Sequence, residues 1–136
     1  SFLDEWMLRQ VEWMAKLYPF SIMKEVIARL STETEAGRQN MREMLAGYDK
    51  EEICHLMGVW FAEVLKENKD MKIECPVLLL LGEHDRIGKV KQYCRKWAEK
   101  TGYPLLIIKN AGHNSNVDVP DEVNQRIKEF LERYGY

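Results

Sequence analysis

The stretch Pro76-Val77-Leu78-Leu79-Leu80-Leu81 constrains this chain more than any other. Its apolar run is far shorter than the roughly 20 residues needed to cross a bilayer and too short for a typical buried helix. A short run with every side chain apolar reads as a strand covered on both faces, the arrangement found in parallel sheets. A second such run, Leu105-Leu106-Ile107-Ile108, lies downstream. Between the two, residues of about 88 to 100 place Val90, Tyr93, Cys94, Trp97 and Ala98 on one side of a helix. A last helix opens near Pro120, a residue suited to a first turn, and is expected to bury Val123, Ile127, Phe130, Leu131 and Tyr134. Strand, helix, strand, helix predicts a βαβα unit whose parallel strands are joined by a right-handed crossover.

Everything before about residue 70 reads as helix. Residues 2 to 18 carry Leu3, Met7, Val11, Met14 and Tyr18 near helical spacing, and the Tyr18-Pro19 step marks a boundary. A second helix of about 20 to 30 rests on Ile22, Val26 and Leu30. In STETE, Thr32 with Glu35 fits a capping box for a third helix that buries Met41, Met44 and Leu45 and stops at Gly47. Asp49 with Glu52 fits another cap. The helix it opens has one wide apolar stripe, Ile53, Leu56, Met57, Trp60, Phe61, Val64 and Leu65. KENKDMK, at about 66 to 72, is a linker by composition.

A formal net charge of −2 over 136 residues supplies no field to gather nucleic acid or an anionic membrane. Cys54, Cys75 and Cys94 are odd in number, widely spaced and without a CxxC, which argues against a disulfide framework and a zinc knuckle. We read them as reduced core or half-core residues. With no secretory leader visible, a cytoplasmic protein is expected.

Ligand sites in open α/β sheets lie beyond the carboxyl ends of the strands. Two loops fall there: Gly82-Glu83-His84-Asp85-Arg86 after the first strand, and Asn110-Ala111-Gly112-His113-Asn114 after the second. If the strands are neighbours, Asp85 can accept the Nδ1 proton of His113, fix the tautomer and leave Nε2 as a base. Glu83 and Asp118 are the rival acids. His55 and His84 read as structural or solvent-facing. A metal site built from His84, His113 and a carboxylate has no ligand spacing to support it, so no metal is expected. Ser115 sits two residues from His113 on the same loop and reads as a polar loop residue.

CPVLLLLGEHD, followed after a helix by LLIIKNAGH and a closing helix, resembles the end of an α/β-hydrolase. In that family the order along the chain is nucleophile, acid, histidine, with the acid after the penultimate core strand and the histidine after the last. The resemblance implies that Asp85 is the triad acid and His113 the triad base. It also implies that residues 1–70 form the helical cap and 71–136 the C-terminal part of the core. The fold expected is thus α/β, a partial α/β-hydrolase with a helical cap before two parallel strands.

The sequence nowhere reads G-x-S-x-G. The expectation is therefore the C-terminal portion of a serine-type hydrolase of ester, amide or related bonds, inactive alone, with the nucleophile (Ser, Asp or Cys) elsewhere. Such chemistry needs a small-molecule substrate and no cofactor. The rival expectation is a non-catalytic binding or oligomerisation module on the same fold. Two strands make a poor sheet with a bare edge. A fragment, completed by a missing N-terminal half, or a homo-oligomer, completed by a second copy, is expected on that ground.

Overall fold

A computed structural model of the chain describes Trp6, residues 10–64 and residues 73–135, with the side chains of 62–64 outside that description. The expected linker at 66 to 72, Leu65, and the first helix's turns before residue 10 fall outside the described residues. Four helices come first: α1 (Val11–Leu17), α2 (Phe20–Ser31), α3 (Glu35–Ala46) and α4 (Lys50–Val64). They are followed by β1 (Leu79–Gly82), α5 (Val90–Thr101), β2 (Leu105–Ile108), the short α6 (Ser115–Asp118) and α7 (Pro120–Arg133).

Contacts divide the chain into two compact units, residues 1–26 with 43–72, and residues 27–42 with 73–136. The first unit is helical in its described part. Within it α1 packs on α4, and Ala15, Met23, Leu45, Ile53 and Cys54 are buried. Asp49 and Glu52 form the expected reciprocal cap, each side chain accepting the other's backbone N–H, at 2.9 and 2.8 Å. The apolar stripe of α4 is only partly covered. Leu56 and Trp60 are exposed, whereas Met57 and Phe61 are half-buried. Among the described residues no helix is long and apolar enough to cross a membrane.

The second unit holds the two parallel strands, paired in the register Leu79↔Leu105 to Gly82↔Ile108. Ile108, Ala111 and Val123 form its core, with Leu80 and Val119 packed against them. α5 ends on Gly102, which is left-handed at φ 74° and donates its N–H to the Ala98 carbonyl, as an αL cap requires. Met41 and Ala28 are buried on the N-terminal pieces of this unit.

Four local expectations need correction. Leu106 and Ile107 are exposed, so β2 is not covered on both faces by the described residues. Tyr93 and Trp97 of α5, Ile127 and Leu131 of α7, and Tyr134 just beyond it are exposed rather than buried. The cap of α3 is Thr34, whose Oγ accepts the Gly37 N–H at 3.0 Å, while the Thr32 hydroxyl turns back to the Ala28 carbonyl. Cys54 is buried and Cys94 half-buried, but Cys75 is exposed, flanking the strand rather than lying in it.

Candidate active site

Both loops leave the same end of the sheet. The strand ladder does not stop at Gly82: the Glu83 N–H donates to the Ile108 carbonyl and the His84 N–H to the Ala111 carbonyl, each at 2.8 Å. From the other side, the Asn110 N–H donates to Glu83 Oε2 at 3.2 Å. Asn110 itself takes the left-handed conformation (φ 54°), which Asn tolerates better than most residues, and so turns the chain sharply out of β2. The two loops are zipped together by backbone, and their side chains are placed accordingly.

Asp85 and His113 meet. Asp85 Oδ2 lies 2.9 Å from His113 Nδ1, and Asp85 Oδ1 accepts the Ile87 N–H at 2.8 Å. The carboxylate side chain is 2% exposed and the imidazole 40%. A carboxylate only accepts, so in this pairing Nδ1 carries the proton and Nε2 is left with its lone pair. The acid is buried with both oxygens occupied, and the base beside it is open to solvent. That is the asymmetry a proton-transferring pair needs.

The other candidates go elsewhere. Glu83 is spent on Asn110 and stands 3.7 Å from His84 Nε2. His84 Nδ1 is 3.4 Å from Glu33 Oε1, and Arg86 pairs with Glu33 Oε2 at 2.7 Å. Among the described residues no three His, Cys, Asp or Glu side chains are grouped as a metal site. Ser115 is buried at the head of α6.

Asp118 is not a partner of His113. Its carboxylate accepts the backbone N–H groups of Glu33, Thr34 and Gly112 and the Thr34 hydroxyl, at 2.8 to 3.0 Å. Burial pushes its carboxyl up, but the hydrogen bonds from Thr34, Gly112 and Glu33 outweigh that and hold it below the ordinary value. On the other side of His113, the Asn114 N–H donates to the Ser31 carbonyl at 2.8 Å, and its side-chain amide to Met41 Sδ at 3.0 Å. From the sequence alone Asp118 reads only as a rival acid, and nothing in it singles out Glu33 or Thr34.

No family model matches the sequence. A carboxylesterase of Bacillus subtilis strain 168 (YbfK) is 35% identical over 72 residues, which is 52% of this chain and 24% of that protein. A solved structure of a thermophilic esterase superposes with a TM-score of 0.72 over 94% of this chain and 52% of its own, at 19% identity. This chain has a partial α/β-hydrolase fold, and its relationship is to that superfamily. It spans about half of the esterase structure it matches and about a quarter of the curated esterase's length. Asp85 and His113 follow two neighbouring parallel strands, in the acid-then-histidine chain order of that superfamily.

Proposed function

We propose that this chain supplies the acid and the base of a serine-type hydrolase of carboxylic esters, with Asp85 orienting and His113 transferring protons. The 2.9 Å contact between buried Asp85 and open His113 carries the reading. The ester, among the bonds such enzymes cleave, is favoured by the similarity to a carboxylesterase. The nucleophile and the oxyanion donors belong to a part of the enzyme outside these 136 residues. In the reaction, His113 Nε2 takes the proton of the nucleophile as it attacks the ester carbonyl and returns it to the departing alcohol. In the second half it takes a proton from water, which releases the acid. Asp85 holds the productive tautomer and offsets the charge of the imidazolium formed in both halves. No cofactor enters these steps.

Residues 1–70 are the helical cap in this reading. Leu56, Met57, Val59, Trp60 and Phe61 present an apolar surface on α4, of a character that suits contact with an acyl chain or alcohol group. Among the described residues β1 pairs with β2 alone. Its other edge is completed by strands from the rest of the enzyme or by a second copy, in the cytoplasm.

The test is hydrolysis of p-nitrophenyl esters by the complete product of the coding sequence, beside the same protein carrying His113→Ala. Turnover that falls to near background in the variant supports the reading. Turnover indifferent to His113 sinks it. If the complete product neither hydrolyses esters nor reacts with a serine-directed phosphonate, the fold serves binding or assembly.

A further inference from the structure

His113 is 40% exposed, and its ring has one described side-chain tether, Asp85. The direction of the imidazole is therefore set by the backbone that carries it. Both neighbours of His113 are tied down. Gly112 donates its N–H to Asp118 Oδ2 at 2.8 Å, and Asn114 donates its N–H to the Ser31 carbonyl at 2.8 Å. Both ties end on one turn, because Asp118 also gathers the Glu33 and Thr34 amides. The same turn reaches the acid's loop, where Glu33 Oε2 pairs with Arg86 at 2.7 Å, one residue beyond Asp85.

We propose that Asp118 is a positioning residue for His113, joining the histidine loop to the turn at 31–34 so that Nδ1 meets Asp85. The inference rests on the dyad reading above and adds to it a third acidic residue that touches neither imidazole nor substrate. Its chemistry suits the task. A carboxylate has two acceptor oxygens and no hydrogen, and here every contact offered is a donor. Asparagine has the same outline but must turn its NH2 group towards a donor. Facing Gly112 it pushes the histidine loop away; facing Thr34 it releases the turn. In either orientation the two loops lose their common reference.

Gly112 shows how little slack the arrangement has. A Cβ there would stand 3.1 Å from the Ser31 carbonyl oxygen and from backbone atoms of Thr32, so the loop lies directly against the turn. A shift of either is transmitted to the imidazole through one residue.

The experiment is 15N and 1H NMR of the histidine side chains in the 136-residue chain, with His113→Gln assigning the signal. Wild type, Asp118→Asn, Thr34→Val and Asp85→Asn are compared under conditions where dispersed amide spectra show each to be folded. The wild type is expected to hold a single Nδ1–H tautomer with a low-field Nδ1 proton. Asp118→Asn is expected to lose that proton and mix the tautomers, and Thr34→Val to move the same signals in the same direction by less. An unchanged His113 in folded Asp118→Asn overturns the proposal. If that variant does not fold, an unchanged His113 in Thr34→Val overturns it instead. A response to Asp85→Asn alone leaves the dyad standing and removes Asp118 from it. No response to Asp85→Asn removes the dyad and the proposal together.

Discussion

Gly82, the last residue of β1, has the carbonyl oxygen of Gly112 where a Cβ would otherwise stand. The Ala111 carbonyl crowds the same point at 2.7 Å. Both obstacles are backbone, so neither can swing aside as a side-chain tip can. The absence of a side chain at 82 is what allows the two loops to approach and Asp85 to reach His113.

Gly82→Ala is therefore expected to destabilise the chain by about 1–3 kcal/mol, the usual cost of adding a methyl group to a packed site. Urea unfolding measures the loss. In a complete enzyme the same substitution is expected to lower kcat more than it changes KM, because Asp85 and His113 are moved apart. Unchanged stability would mean that the loops can part freely.

Asp85→Asn keeps an oxygen for the Ile87 N–H but presents His113 with an NH2 group or a neutral oxygen. The imidazole then adopts the tautomer with its proton on Nε2, where the base is needed. In a complete enzyme the expected loss is on the order of 10⁴ in kcat, as for the equivalent change in other triads. A loss below tenfold in stopped-flow or steady-state assays contradicts the role given to Asp85.

Acid stability follows from Asp118. Its folded carboxyl is held below its ordinary value, so the unfolded chain binds a proton more readily than the folded one. The stabilisation is fully present above the unfolded value of about 3.9 and is lost as pH falls through the lower folded one. Urea midpoints measured from pH 6 down to pH 2 are expected to fall across that window, and Asp118→Asn to flatten the fall. Equal slopes would assign the acid sensitivity to other carboxylates.

Thr34 and Arg86 give a ranking. Thr34→Val removes the α3 cap to Gly37 and one donor to Asp118, for an expected cost of about 1–2 kcal/mol. Arg86→Ala breaks a pair with Glu33 that is 55% exposed on the arginine side, worth about 0.2–1 kcal/mol. Chemical denaturation of the two variants should place Thr34→Val clearly lower, and a reversed order would show that the ion pair is the stronger brace.

Much of this was legible in the residues. The second strand runs over Leu105–Ile108 as its apolar run indicates, α7 starts at Pro120, and α2 covers Phe20–Ser31. β1 starts two residues into its apolar run, at Leu79, and ends one residue beyond it, because Gly82 continues the ladder. These elements rest on local period and punctuation, which sequence carries directly. The coverage of helix faces was less readable, because the stripe on α4 and the apolar sides of α5 and α7 show an appetite for burial without showing what meets it. The bracing of His113 was not readable at all. Asp118 and Glu33 are 85 positions apart, and their contact depends on how the intervening chain folds.

That separation bears on how such a protein can change. The chain leaves the second unit at Arg42 and re-enters it at Ile73, so the segment between behaves as an insertion into a unit closed by Asp118 and the turn at 33–34. Closing a flexible loop costs free energy only as the logarithm of its length, about 0.6 kcal/mol for each doubling. Helices can therefore be lengthened, exchanged or added between residues 43 and 72 with little effect on the closure that aligns His113. Variation can accumulate in the inserted segment while the Asp85–His113 contact stays fixed.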